Sequence, residues 1–251
     1  MSQYNLSGHY SQRYDAELER LVNLVLEMGG MVEMQVKDAV RAFTQGDERL
    51  AAQVRDNDVR VNSYEVSIDE LGVEILAKRQ PQAGDLRLVV SVMKTIADLE
   101  RIGDLSERIA KFTGRQAFRG KRSMRDVELM GELCSNMLHA ALNALARMDA
   151  KAALEAVKLD QPIDDAYEAI MRQNITFLLE DARNISPFLD MLWTVRALER
   201  IGDHARNICE YTIFFVKGRD IRHVDLKTVE RVVNDMHDAD AAGGDATPDE
   251  G

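Results

Sequence analysis

DLRLVVSVMKTIADLERIGDLSERI, residues 85–109, and NISPFLDMLWTVRALERIGDHARNI, residues 184–208, are copies at an offset of 99. They share an identical segment, LERIGD, at Leu99–Asp104 and Leu198–Asp203. Apolar residues in both recur at helical spacing. Val92, Ile96, Leu99, Gly103 and Ala110 fall in one narrow sector of the first copy. Met191, Val195, Leu198, Gly202 and Cys209 fall in the same sector of the second. The sectors are flanked by Leu86, Val89 and Met93 in one and by Ile185, Phe188 and Leu192 in the other.

The preceding segments also match, more weakly. Asp58-Val59-Arg60-Val61-Asn62 aligns with Asp160-Gln161-Pro162-Ile163-Asp164 at an offset of 102. A first helix is expected from near Ser11 to Gly46, where a C′ glycine is followed by Asp47 as N-cap of a second helix. Pro81 and Gly84 mark the next turn, with Asp85 as N-cap of the third helix. Ser123-Met124-Arg125-Asp126 resembles a capping box for a fourth. Asp149 caps a fifth, and Ser186 with Pro187 fits N-cap and N1 of a sixth, which runs to Gly218. A short segment from His223 to about His237 adds one more. Short loops make consecutive helices antiparallel neighbours. The expected fold is therefore all-α, with two tandem, pseudo-symmetric three-helix bundles over residues 11–116 and 122–220.

Composition agrees. Hydrophobic content of 45% with 30% charged residues is globular. Four prolines and 6% aromatics disfavour sandwiches and barrels. The net charge of −11 argues against nucleic acid as a partner. Six of the acidic charges lie in residues 234–251, a Gly/Ala/Asp stretch without Lys or Arg, which is expected to form a disordered acidic tail. The basic stretch Arg115–Arg125 reads as a linker or as a docking patch for an acidic surface. No apolar run approaches the roughly 18 residues needed to cross a bilayer, so no direct membrane insertion is expected. Met1–Arg20 is polar, without a signal-peptide core. Two cysteines make no disulfide framework, and a reduced, cytoplasmic setting is expected.

Chemistry concentrates inside the repeat. Glu100/Asp104 and Glu199/Asp203 stand four residues apart, about 40° apart on one helical face. That face is the flank where the apolar edge would otherwise continue. Partly buried paired carboxylates repel each other and lose hydration unless a cation compensates. Two compensators are open. Arg87, Arg101, Arg108, Arg200 and Arg206 can supply ion pairs across helices. Alternatively, a divalent or trivalent metal can use carboxylates at i, i+4 spacing as a half-site. Asp58/Asn62 and Asp160/Asp164 repeat the spacing on the adjacent helices. His204 is either an interhelical polar residue or a further ligand.

Gly103 and Gly202 each cost helix stability of about 1 kcal/mol relative to Ala, and close helix packing is the expected return. Cys209 and the methionines read as core. Trp193 falls outside the core sector and faces a partner or the rim. No Glu-x-x-His, phosphate-cradling glycine loop, Ser/His/Asp elbow or CxxC occurs, so no catalytic residues are assigned.

With LERIGD twice and Asp-Leu-Arg (85–87) opening the first copy, the chain resembles the PhoU family over roughly residues 10–220. The resemblance implies a non-enzymatic, cytosolic accessory regulator of the phosphate ABC transporter. Such a protein links transporter state to a membrane sensor histidine kinase and represses the phosphate-starvation response when phosphate is ample. It also implies a homodimer, peripheral association with inner-membrane complexes, and metal clusters built in some members on E/D-x-x-x-D motifs. Those motifs map onto Glu100/Asp104, Glu199/Asp203 and Asp160/Asp164. The fourth, Asp58/Asn62, departs by carrying an amide. Two other classes compete: a carboxylate-bridged metalloenzyme and a purely structural helical scaffold.

Overall fold

A computed structural model of the protein describes residues 12–114, 121–180, 185–222 and 224–234. Residues 115–120 of the basic stretch and 235 onward of the acidic tail lie outside the described residues, while Lys121–Arg125 of the basic stretch form the opening turns of a helix, Lys121–Arg147, and not a linker. Among the described residues there are eight helices and no strand: α1 (Gln12–Gln45), α2 (Glu48–Arg79), α3 (Ala83–Lys111), α4 (Lys121–Arg147), α5 (Ala150–Val157), α6 (Asp160–Glu180), α7 (Ile185–Lys217) and α8 (Leu226–Asn234). No helix among them is long and apolar enough to cross a membrane.

Local chemistry sets the helix ends. Gly46, at φ 71°, ends α1 in the left-handed conformation that glycine adopts without steric cost. Asp47 then caps α2 by accepting from the Leu50 N–H at 3.0 Å. Asp149 likewise caps α5, accepting from the Lys151 and Ala152 N–H groups at 3.0 Å each. Three expected caps are displaced. α3 begins at Ala83 with Gln82 as N-cap, and Asp85 instead lies buried in the first turn, accepting from Tyr14 Oη at 3.1 Å. Ser123 is buried inside α4, which starts two residues earlier. Ser186 lies in the first turn of α7, which begins at Ile185.

The expected fifth helix is two helices. Pro162 has no N–H to donate, and its ring would collide with the Lys158 carbonyl in a continuous helix. The chain therefore tightens at Lys158–Leu159, where the Leu159 N–H reaches the Ala156 carbonyl at 3.0 Å. It then restarts with Pro162 in the first turn of α6, where a missing donor costs nothing. Arg60 occupies the equivalent place in α2, which runs unbroken.

α1, α2 and α3 pack on one another as the first bundle; α4, α5 with α6, and α7 form the second. The bundles join through α3 against α7 and α1 against α4, and buried side chains from all eight helices form one continuous core. The α3–α7 contact is polar at one end. Arg87 Nε donates to the Phe215 carbonyl at 3.3 Å, and Ser91 Oγ to the Tyr211 carbonyl at 3.3 Å. Asp98 accepts from Asn207 Nδ2 at 3.2 Å and meets His204 Nδ1 at 2.5 Å. Partner numbers fall along α7 as they rise along α3, so the helices are antiparallel. With a repeat offset of 99, each half meets its counterpart at the level of Arg101 and Arg200.

Candidate functional site

The repeated acids of each half sit on a seam between the third helix of a bundle and its second, and glycine opens that seam. A Cβ on Gly103 would stand 3.2 Å from Asp58 Oδ1 and 3.4 Å from Val61 Cγ1. A Cβ on Gly202 would stand 3.1 Å from Ile163 Cδ1 and 3.7 Å from Asp160 Oδ1. Close helix approach is thus what both glycines provide, as their place in the core sector predicts. The approach carries Asp58 on α2 and Asp160 on α6 into the bundle, where both are buried.

In the first seam, Gln35 of α1 is the central donor. Its Nε2 bonds Asp58 Oδ1 at 3.1 Å and also reaches the Val54 and Gly103 carbonyls at 3.3 and 3.4 Å. Asn62 Nδ2 approaches the second Asp58 oxygen at 3.4 Å. On α3, Arg101 spans Glu100 and Asp104 at 3.5 Å each. Burial raises the Asp58 pKa, Gln35 opposes the rise, and the charges of Asp104 and Glu107 add to it. Glu100 is raised by burial and then by Asp104. Glu65, two turns beyond Asp58 on α2, joins the same acidic field and is raised too, by burial and then by Asp69.

The second seam compensates differently. Arg206, on α7 itself, bonds Asp160 Oδ2 at 3.0 Å through one guanidinium nitrogen and Glu210 Oε1 at 3.2 Å through another. Arg196 holds Glu199 Oε1 at 2.8 Å. Glu199 Oε2 is buried with no hydrogen-bond partner. The Glu199, Asp203 and Asp164 pKa values are all raised, each by burial first and then by a neighbouring carboxylate of the same seam. Cys134, which lies at the offset of 99 from Gln35, donates to the Leu198 carbonyl at 3.2 Å, and burial pushes its thiol pKa up.

The structure therefore gathers Asp58, Glu100 and Asp104 in one seam and Asp160, Asp164, Glu199 and Asp203 in the other. Asp164 and Asp203 occupy the exposed edge. The arginines proposed as partners divide. Arg206 pairs across helices. Arg101 pairs within α3. Arg87 serves a carbonyl, and Arg108 lies over the Trp193 ring, 4.8 Å from its centroid. His204 joins Asp98 between the halves. Gln35 and Glu65 were not singled out from sequence. Glu65 stands seven residues after Asp58 on the same helical face, which is a readable signal. Gln35 carries none, because its partner is on another helix.

The fit of a metal can be judged from the donors. The buried, unpartnered Glu199 Oε2 and the uncompensated acids beside it have the chemistry of a hard-cation site. Among the described residues, however, no three acidic, histidine or cysteine side chains converge closely enough to hold an ion. The second seam supplies suitable donors, and these would have to close together to chelate.

A family model described as the PhoU domain matches residues 25–113 and again residues 127–212. The chain belongs to the PhoU family. A phosphate-specific transport system accessory protein PhoU homolog of Pseudomonas putida is 45% identical over 239 residues, covering 94% of this chain and 93% of that protein. The phosphate-specific transport system accessory protein PhoU of Escherichia coli (strain K12) is 45% identical over 235 residues, covering 93% and 97%. The crystal structure of PhoU from Pseudomonas aeruginosa superposes with a TM-score of 0.79 at 44% identity, covering 82% of this chain and 100% of that one. The two PhoU-domain matches coincide with the two seams: each contains one LERIGD copy.

Proposed function

We propose that this PhoU-family chain is a non-enzymatic regulator of phosphate uptake, acting as an adaptor between the phosphate ABC transporter and a sensor histidine kinase. In phosphate-rich conditions it would hold the phosphate-starvation response off. The observation that carries this reading is the match of both halves to the PhoU domain. Relatives that match nearly end to end are named accessory proteins of the phosphate-specific transport system, and a solved relative from Streptococcus pneumoniae is titled a phosphate transport system regulatory protein. The architecture suits the role. Long helices sharing one core present fixed faces, and coupling comes from partners that bind one transporter state better than another. The reading places the chain in the cytoplasm, peripheral to the inner membrane, as a homodimer.

The test is a deletion strain assayed for phosphatase expression in phosphate-rich medium. Constitutive expression is expected, and normal repression would overturn the regulator reading. Crosslinking pull-down from membrane fractions should recover transporter and kinase; recovery of the transporter alone would remove the kinase from the adaptor.

The unpartnered Glu199 oxygen supports a second element. A divalent or trivalent cation is the counter-charge that Glu199, Asp203, Asp164 and Asp160 would take up, neutralising the seam without any catalytic step. The first seam, with Asn62 in place of a carboxylate, Gln35 already on Asp58 and no buried carboxylate oxygen left without a partner, would take one less readily. Native mass spectrometry of wild type and E199Q checks this: metal retained equally by both removes Glu199 as a donor.

A further inference from the structure

Where α3 crosses α7, an open groove of about 480 Å³ lies between the halves. It is separate from the buried acids of the seams, although Asp104 borders both. Arg101, Arg108 and Lys111 line it from α3, and Arg200 and His204 from α7. Two carboxylates, Asp104 and Glu107, also face it. Part of the positive charge is committed. Lys111 pairs with Glu107 at 2.6 Å, and Arg101 with Asp104 at 3.5 Å. Arg108 and Arg200 form no ion pair with a carboxylate among the described residues. Arg108 lies over the Trp193 ring, a cation–π contact that uses the indole face and not a hydrogen-bond acceptor. Arg200 favours ionised Glu199 and Asp203 through space without reaching either. His204 is held by Asp98 through Nδ1, so its Nε2 is the nitrogen left for a ligand.

A chain of net charge −11 repels small anions on average, so a local surplus of arginine is a specific feature and not a background field. Its position is also specific. Arg101 and Arg200 are the same residue of LERIGD in the two copies, brought to one level by the antiparallel crossing. Guanidinium groups approaching from two opposed helices can donate to different oxygens of one multiply charged oxyanion, as arginine does with phosphate.

We propose that this groove binds a small oxyanion of the phosphate class, with Arg200 and Arg108 as principal donors and Arg101 and His204 completing the set. A bound anion would tie α3 to α7 and so stabilise one arrangement of the two halves. The site stands on its own geometry and does not depend on the adaptor reading.

Trp193 is the only tryptophan in the chain and sits beneath Arg108, so its emission reports on the groove. The full-length protein is titrated with inorganic phosphate and with pyrophosphate at constant ionic strength, reading emission and, in parallel, heat. A saturable signal is expected. Arg200→Gln should weaken it about tenfold, the loss of one charge-assisted contact. Arg172→Gln, which removes an exposed arginine paired with Glu168 on α6, should leave it unchanged. Far-UV circular dichroism confirms that both variants fold. Saturation by inorganic phosphate identifies free phosphate as sufficient, and saturation by pyrophosphate alone identifies a longer phosphoryl chain; either supports the site. No saturable binding of either anion, or equal weakening by the two variants, overturns it. A protein that binds phosphate here but whose deletion leaves repression intact would keep the site and lose the adaptor function.

Discussion

In the first half Asp58 is satisfied by Gln35, a neutral amide reaching in from α1. In the second half the equivalent Asp160 is satisfied by Arg206, a cation on α7. The exchange is coordinated. At the offset of 99, Gln35 is replaced by Cys134 and Glu107 by Arg206. One seam thus carries an extra acid and relies on a buried amide. The other has lost the amide and turned that acid into its counter-ion. Duplicated backbones with matching glycines and acids have reached two electrostatic solutions, and a feature of one half cannot be carried over to the other by symmetry.

The largest difference should appear when the compensators are removed. Gln35→Leu leaves a buried carboxylate with only the long Asn62 contact, and should destabilise the fold by about 2–3 kcal/mol in urea unfolding. Cys134→Ala removes a weak thiol donor from the equivalent place and should cost about 1 kcal/mol. Comparable losses would mean that Gln35 acts as packing volume and not as a donor. Salt sharpens the contrast. Arg206 is partly exposed, so the cost of Arg206→Leu should shrink at high ionic strength, while that of Gln35→Leu should not.

The glycines give a smaller, more local contrast. Alanine at either site gains about 1 kcal/mol of helix propensity. At Gly202 the obstacles are the Cδ1 and Cγ2 methyls of Ile163, at 3.1 and 3.3 Å, which must give by a few tenths of an ångström; that cost offsets the propensity gain, so Gly202→Ala should be close to neutral. At Gly103 the obstacle is Asp58 Oδ1, pinned by Gln35, so Gly103→Ala should cost a net 1–2 kcal/mol, roughly. Thermal midpoints of the two variants decide it, and equal midpoints would show that Asp58 is freer than its hydrogen bonds imply.

These particular residues show where sequence is legible. The repeat, the helical class and the acid flank follow from spacing within one helix, and spacing is local information. The packing role of Gly103 and Gly202 is legible for the same reason, since each sits in the core sector of its own helix. The break at Leu159 was equally local: Pro162 stands where Arg60 stands in the first copy, and it forbids the continuous helix that the apolar period suggests. What spacing does not carry is pairing between helices. Gln35 meets Asp58 and His204 meets Asp98 only because of how the helices pack. The flank also reads too apolar, because Leu86 and Ile185 lie near helix starts and both are exposed.

The smallest effect is also the one that ties charge to function. The Glu199 pKa in the folded protein is raised above its ordinary value of 4.5. Between those two pH values the folded state holds more protons than the unfolded chain, so stability falls as pH rises through that window and stays lowered above it. Once the pH is above both values, the wild type carries the full penalty of an ionised, half-satisfied carboxylate. Glu199→Gln keeps the shape and removes the charge. It should be more stable than wild type by about 1 kcal/mol at pH 7, and the difference should close below about pH 4.5, where Glu199 is protonated in both states. The matching substitution in the first seam, Glu100→Gln, should give less, because Glu100 has no buried oxygen left without a partner and its side chain is slightly more open to water. A divalent cation that occupies the second seam would remove the same penalty from the wild type, raising its stability while leaving Glu199→Gln unmoved. Equal responses of the two proteins would show that the cation binds elsewhere and that Glu199 is held ionised at a cost the molecule simply bears.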